Sequence, residues 1–115
     1  MNIIDFLRKD GSMIVNKRLA KQIGIESAIM FSELVSRFDY FEKKGKLVDG
    51  FFFNTIENFE EATTLSEYQQ TKSIKTLIKL KLIEKKLKGV PPKRYFKICT
   101  YKVVESMLNS QLPKN

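Results

Sequence analysis

The sequence predicts a mostly helical α+β domain, and three observations predict it. Apolar residues recur at helical spacing over much of residues 17–80. A short helix, a turn and a longer helix then precede two short strand-like segments. Pro91 and Pro92 lie between those segments, as expected of a hairpin loop, because proline cannot donate to a strand ladder. This order predicts a winged helix-turn-helix with a C-terminal β-hairpin wing and flanking helices.

The N-terminal half is expected to contain three helices. Residues 1–12 should form a helical extension, with a helix over 2–8 and a turn at 10–12, before a short extended piece over 13–15. Asn16 should cap a helix over 17–23, which Gly24 ends. A long helix over 26–43 follows as the central core helix. Its predicted inward stripe comprises Ile25, Ala28, Ile29, Leu34, Val35, Phe38 and Phe41.

The C-terminal half should carry the helix-turn-helix and the wing. An aromatic strand over 51–53 precedes a short helix over 56–62, capped by Thr55. Ser66 and Gln69 form the S-x-x-Q pattern of a capping box, which begins a helix over 66–80 with Ile74, Leu77 and Ile78 inward. Strands over 83–88 and 93–99 flank the loop. The winged-helix domain thus spans residues 13–100, and residues 101–115 are expected to form a final helix and tail.

Composition excludes several functional classes. The 115 residues include no histidine and one cysteine, Cys99, so we expect no zinc site, no catalytic residues, no cofactor and no enzyme activity. A carboxylate-only Mg²⁺ site at Glu57, Glu60 and Glu61 is conceivable, but their i, i+3, i+4 spacing is more typical of a solvated helix face, so no metal site is expected. A single cysteine forms no internal disulfide, which fits a reducing cytoplasm. No apolar run approaches the ~20 residues that span a bilayer, so no membrane contact is expected.

Positive charge is concentrated in one segment of the chain. Residues 66–97 hold ten Lys or Arg against two Asp or Glu, whereas residues 1–65 hold nine against ten. This segment coincides with the second helix of the helix-turn-helix and the hairpin. A basic helix beside a basic hairpin suits a polyanionic partner that has both a groove for the helix and a charged backbone for the hairpin. This combination indicates nucleic acid.

The candidate DNA-binding residues lie on these two elements. On the helix they are Tyr68, Gln69, Lys72, Lys75, Thr76 and Lys79, and on the hairpin they are Lys85, Lys86, Lys88, Lys93, Arg94 and Lys97. A helix fits the major groove, where glutamine pairs with adenine and lysine with guanine acceptors, while the hairpin cations would meet the phosphate backbone or the minor groove.

Each of these assignments has a structural alternative. Any single lysine can simply be solvated, and Tyr68 and Tyr95 can pack rather than stack on bases. Phe51, Phe52 and Phe53 are expected to fill the core rather than bind a ligand. Gln70 points toward the apolar side of its helix and is interpreted as structural.

A family resemblance rests on several segments together. They are residues 15–24 (VNKRLAKQIG), residues 49–54 (DGFFFN) and residues 66–83. In the last segment, Ser66 matches the helix cap of the family pattern and Lys72 its basic position. Ile74 and Leu77 match its core positions, and Leu82-Ile83 match the start of its wing. Over about residues 13–98 the chain resembles the N-terminal winged-helix domain of phage and plasmid replication proteins, the DnaD-like replisome-organiser group of Gram-positive bacteria. The chain departs from the family pattern at Gln69 and Gln70, at Lys81, which replaces a glycine, and in having no tryptophan.

The resemblance implies a DNA-binding protein of a mobile genetic element that acts in replication initiation. Duplex DNA is favoured over single strands because Gln69, Lys72 and Thr76 line one helix face in groove-reading positions. The resemblance adds replication proteins, such as a helicase or its loader, as expected partners. Family members continue into a second domain, so this chain is expected to be an excised domain or a small stand-alone relative. The alternatives are a small single-stranded DNA-binding protein, a transcriptional repressor and a protein-docking winged helix.

The N-terminal extension suggests self-association. Ile3, Ile4, Phe6 and Leu7 are too many apolar side chains for a short helix to cover alone. They are expected either to form a homodimer contact or to fold back onto the core of their own domain.

Overall fold

The computed structural model describes residues 2–99 and Glu105. In this part of the chain the helices are α1 (Ile3–Arg8), α2 (Lys17–Ile23), α3 (Ile25–Lys43), α4 (Ile56–Thr63) and α5 (Glu67–Lys79), and the strands are β1 (Phe52–Phe53), β2 (Ile83–Lys88) and β3 (Lys93–Ile98). The strands form one antiparallel sheet in the order β1-β3-β2. This is the predicted α+β winged-helix arrangement. The extended piece predicted over 13–15 forms no strand, and the helix predicted over 101–110 lies outside the described residues except for Glu105.

Helix α3 is the centre of the core, because α2, α4, α5 and the sheet all pack against it. The predicted inward stripe is wrong at two positions: Ile25 is 57% exposed and Val35 is 37% exposed. Met30 and Phe31 are buried instead. A helix covered from several sides buries more than one stripe, so a single 3.6-residue periodicity describes it poorly.

The connection between α4 and α5 is a tight helix-turn-helix. Thr64 adopts a left-handed conformation with φ of 67°, and its N–H donates to the Glu60 carbonyl at 2.8 Å. Ser66 then caps α5, and both halves of the predicted capping box with Gln69 are present. Three residues therefore reverse the chain with its backbone groups satisfied.

Gln70 is fully buried and holds this turn in place. Its Nε2 donates to the carbonyl oxygens of Ile56 and Leu65, both at 3.0 Å. A buried amide must be hydrogen-bonded to avoid a desolvation cost of about 1–3 kcal/mol. The predicted structural role of Gln70 is thus confirmed.

Helix α5 ends in a Schellman motif. The Lys81 N–H donates to the Ile78 carbonyl at 2.9 Å and the Leu82 N–H to the Leu77 carbonyl at 3.0 Å, while Lys81 has a φ of 61°. Leu77 and Leu82 are both buried, which supplies the apolar contact of that motif. Ile78, predicted to face inward, is 40% exposed.

The sheet separates a core face from an outer face. In the register, Ile83 pairs with Ile98, and Phe52 pairs with Phe96, and all four side chains are buried against the helices. Side chains alternate between the two faces along a strand. The residues between these core positions therefore project to the outer face.

Candidate nucleic-acid interface

Helix α5 carries a straight cationic stripe on its surface. Tyr68, Lys72, Lys75 and Lys79 follow one another at spacings of four, three and four residues, which places them on one side of a helix. All four are exposed, and Tyr68 is 75% exposed. The opposite side buries Gln70, Ser73, Ile74 and Leu77, so the core fixes the direction in which the stripe faces.

Gln69 and Thr76, the other two predicted helix contacts, are half-buried and already hydrogen-bonded. Gln69 Oε1 accepts from the Ser66 N–H at 2.9 Å, and its Nε2 donates to Glu26 Oε2 at 3.0 Å. Thr76 Oγ1 donates to the Lys72 carbonyl at 3.2 Å. The capping-box spacing signalled the first of these bonds, but Glu26 lies 43 residues away in the sequence and no local pattern pointed to it.

The six predicted hairpin cations do not form one surface, because the strand pleat divides them. Lys85 pairs with Phe96, and Arg94 lies two residues before Phe96, so both belong to the core side of the sheet. Lys85 nevertheless reaches solvent on the edge strand β2. The remaining four project to the outer face: Lys86, Lys88, Lys93 and Lys97.

Arg94 is built into the structure rather than displayed on it. Its Nη2 donates to Gln70 Oε1 at 3.3 Å, and its guanidinium carbon lies 5.6 Å from the ring centroid of Phe59 and 5.2 Å from that of Phe96. Burial lowers the pKa of Arg94, opposed by the charges of Glu57 and Glu67. The period-two pattern around Phe96 is the sequence signal that would have placed it inward.

The outer face of the sheet combines lysines with aromatic rings. The expectation that Phe51, Phe52 and Phe53 fill the core is correct for Phe52 but wrong for Phe53, which is 38% exposed, and Phe51 is only half-buried. Lys86 Nζ lies 4.1 Å from the ring centroid of Phe51 and Lys97 Nζ lies 5.8 Å from it. Lys93 Nζ lies 5.3 Å from the Phe53 ring, and Lys88 Nζ lies 6.0 Å from that of Tyr95. Each such contact contributes about 0.5–1 kcal/mol at an exposed site.

Cations of the basic segment are left without acidic partners at ion-pair distance in the described part of the chain. The ion pairs found there join Glu33 to Arg37 and Asp39 to Lys43, all on α3. The charge of the segment is therefore not neutralised locally, and both the α5 stripe and the outer sheet face attract anions.

No group of three or more His, Cys, Asp or Glu side chains in the described residues is placed to hold a metal ion. Within the same residues, no helix combines the length and apolar character needed to cross a bilayer.

Comparison with solved structures shows a shared fold. A chain from a structure of a Rep–DNA complex superposes with a TM-score of 0.62 at 16% sequence identity, and 98% of each chain is covered. The N-terminal domain of a DNA-binding protein superposes with a TM-score of 0.58, also at 16% identity, covering 98% of this chain and 97% of the other. At this identity the likeness establishes the fold. No protein-family model matches the sequence, and no curated protein matches it.

Proposed function

We propose that this protein is a duplex DNA-binding winged helix of a phage or plasmid replication protein. The observation that carries the proposal is the exposed cationic stripe of Tyr68, Lys72, Lys75 and Lys79 on the second helix of a helix-turn-helix. Both superposed structures support it, since one is described as a Rep–DNA complex and the other as part of a DNA-binding protein.

In this proposal α5 enters the major groove. A helix with its side chains is about 10–12 Å across, and the groove is about 12 Å wide. The 13 residues of α5 extend over about 20 Å, so the stripe follows the groove past several base pairs. Lys72 and Lys75 would contact base edges or phosphates near the middle of the helix.

The tip of the wing would contact the sugar–phosphate backbone. Lys88 and Lys93 form the last pair before the loop, and both are exposed. Phosphate contacts of this kind fix register and orientation on the duplex without reading sequence. Arg94 is assigned a structural role rather than a DNA contact, because its guanidinium is directed at Gln70.

The wider role follows from the family resemblance together with the Rep–DNA neighbour. The protein would act without catalysis in replication initiation of a mobile element, in the bacterial cytoplasm. It would mark an origin for replication proteins such as a helicase or its loader.

A homodimer is part of the proposal. Ile3, Ile4, Phe6 and Leu7 are between 58% and 75% exposed, so they do not cover the core of their own domain. An apolar groove of about 420 Å³ lies beside α2 and α3, lined in part by Met13, Ile14, Leu19, Phe31 and Val35. We propose that α1 of one copy packs against this surface of a second copy, which would place two α5 helices on two half-sites.

Salt dependence tests the DNA-binding proposal. The affinity of the full chain for a short mixed-sequence duplex is measured by fluorescence anisotropy over a range of salt concentrations. The slope of log K against log[salt] should be about −0.9 for each phosphate neutralised. Replacing Lys72, Lys75 and Lys79 together by alanine should flatten the slope by two to three such contacts, about 2–3 units. An affinity that is insensitive to salt would reject the proposal.

A further inference from the structure

The outer face of the sheet is a second surface, separate from the α5 stripe. Phe53 on β1 pairs with Tyr95 on β3, which pairs with Lys86 on β2, so these three residues form one row across the sheet. The ring centroids of Phe53 and Tyr95 are 5.7 Å apart. Phe51 lies two residues before Phe53 and carries Lys86 and Lys97 above its ring.

The aromatic rings of this face are not used to build the core. Phe53 is 38% exposed, and Phe51 and Tyr95 are half-buried, whereas their neighbours Phe52 and Phe96 are 2% and 0% exposed. An aromatic residue on the solvent side of a sheet that already has a full core is available for contact with a ligand.

The charge of this face selects the ligand. Lys86 and Lys97, which the duplex proposal does not use, project from it together with the wing-tip lysines Lys88 and Lys93, and the strands place one acidic residue there, Glu84. The centres of protein–protein interfaces are depleted of lysine, so a docked protein fits poorly. A base inside a duplex has both faces covered by its neighbours, whereas a single strand offers unstacked bases beside phosphates.

From this arrangement we infer that the outer sheet face, through Phe51, Phe53 and Tyr95, binds single-stranded DNA by base stacking. Lysine contacts with these rings are weaker than base stacking at exposed sites, so a base displaces the lysine. The displaced ammonium group then pairs with a phosphate of the same strand. This inference goes beyond the proposed function, because it gives the domain a surface for the unwound strand next to a surface for the duplex.

Phe53→Ala tests the inference on the full chain. A labelled mixed-sequence strand of about 16 nucleotides and the same strand annealed to its complement are titrated at one salt concentration. Single-strand affinity should fall by about tenfold, within the roughly 5- to 150-fold that corresponds to one stacked base, and duplex affinity should change by less than about threefold. Val48→Ala is the matched control, since Val48 is 53% exposed near Phe51 but carries no ring. That variant should bind both ligands as the parent chain does.

Phe53→Trp reports directly on contact at this position through its fluorescence. It also keeps an aromatic ring there, so the test remains possible if the alanine variant misfolds. The chain has no tryptophan, so the new indole is the sole emitter of its kind. Its emission should be quenched when the single strand saturates the protein, and single-strand affinity should be retained. Unchanged emission at saturation, or a Phe53→Ala variant that binds the single strand as tightly as the parent, would overturn the inference. An equal loss on duplex and single strand would also overturn it, because the two surfaces would then be one.

Two further arms separate this inference from other outcomes. An RNA strand of the same sequence should bind no more tightly than the DNA strand, and a preference for RNA of about tenfold or more would overturn the assignment to DNA. Lys72→Glu should weaken duplex binding and leave single-strand affinity within about threefold. If the parent chain fails to bind duplex while Phe53→Ala still weakens single-strand binding, the proposed function fails and this inference stands.

Discussion

Arg94 in the wing donates a hydrogen bond to Gln70 in the helix-turn-helix, with Nη2 3.3 Å from Oε1. Gln70 in turn donates to the carbonyls of Ile56 and Leu65, at the start of α4 and in the turn before α5. One buried amide therefore connects the two elements proposed to contact duplex DNA. This pair adds a polar contact to the apolar core that fixes the wing relative to α5.

Arg94→Met should lower stability more than it lowers DNA affinity. The substitution leaves Gln70 Oε1 buried without its donor, which costs about 1–3 kcal/mol. Denaturant unfolding measures the stability, and anisotropy well below the melting temperature measures duplex affinity, which should change by less than about threefold. Arg94→Lys should also destabilise the protein, because an ammonium group lacks the planar geometry of guanidinium. Lost binding with unchanged unfolding would instead identify Arg94 as a DNA contact.

Lys72→Glu should weaken duplex binding and leave the fold intact. Lys72 is exposed in the middle of the α5 stripe, so reversing its charge replaces an attraction to phosphate with a repulsion. Stability should stay within about 0.5 kcal/mol of the parent, as is usual for an exposed position. Lys46→Glu is the matched control, because Lys46 is exposed in the loop after α3, outside the basic segment. If both variants bind equally well, α5 is not the recognition helix.

Lys81→Gly should stabilise the domain by about 0.5–1 kcal/mol. Lys81 has a φ of 61°, a conformation that is costly for a residue with a Cβ and free of that cost for glycine. Thermal unfolding by circular dichroism measures the effect. The same change at Lys75, inside α5, should destabilise the domain by about 1 kcal/mol. If Lys81→Gly and Lys75→Gly shift the melting temperature in the same direction, the left-handed conformation of Lys81 in the Schellman motif is contradicted.

Removal of residues 1–9 should convert a dimer into a folded monomer. Helix α1 contains no buried residue, so its loss leaves the domain core complete. Sedimentation should give twice the chain mass of 13.4 kDa for the full chain and a single mass for the truncated one. Leu7→Glu should act in the same way, whereas Arg8→Glu on the same helix should leave the dimer in place. A full chain that remains monomeric at high concentration would remove the proposed contact.

Local signals predicted most of the fold, because they depend on residues close in sequence. Asn16, Thr55 and Ser66 cap their helices as the local sequence predicted. Lys81 has the left-handed conformation at the position where the family that the chain resembles has glycine. The errors at Ile25 and Val35 arose because several elements pack around α3, which a single helical period does not record.

The candidate site was less predictable, because it depends on contacts between distant segments. The bond from Gln69 to Glu26 joins α5 to the start of α3. The row of Phe53, Tyr95 and Lys86 requires three strands in a fixed register. Charge density located the basic helix and hairpin, but the strand pleat determined which cations project to the outer face and that Arg94 is turned toward the core and half-buried.

The pairing of β2 with β3, in which Lys86 lies opposite Tyr95 and Lys85 opposite Phe96, carries more than stability. A slip of β3 by a single residue would turn Phe96 to solvent and drive lysines toward Phe59 and Phe52 in the interior. Such a misaligned hairpin would lose its core and its anion-attracting surface in the same event. A wing with this one-residue misalignment is therefore disfavoured, because the alignment that buries Phe96 is also the one that displays Lys93 and Lys97.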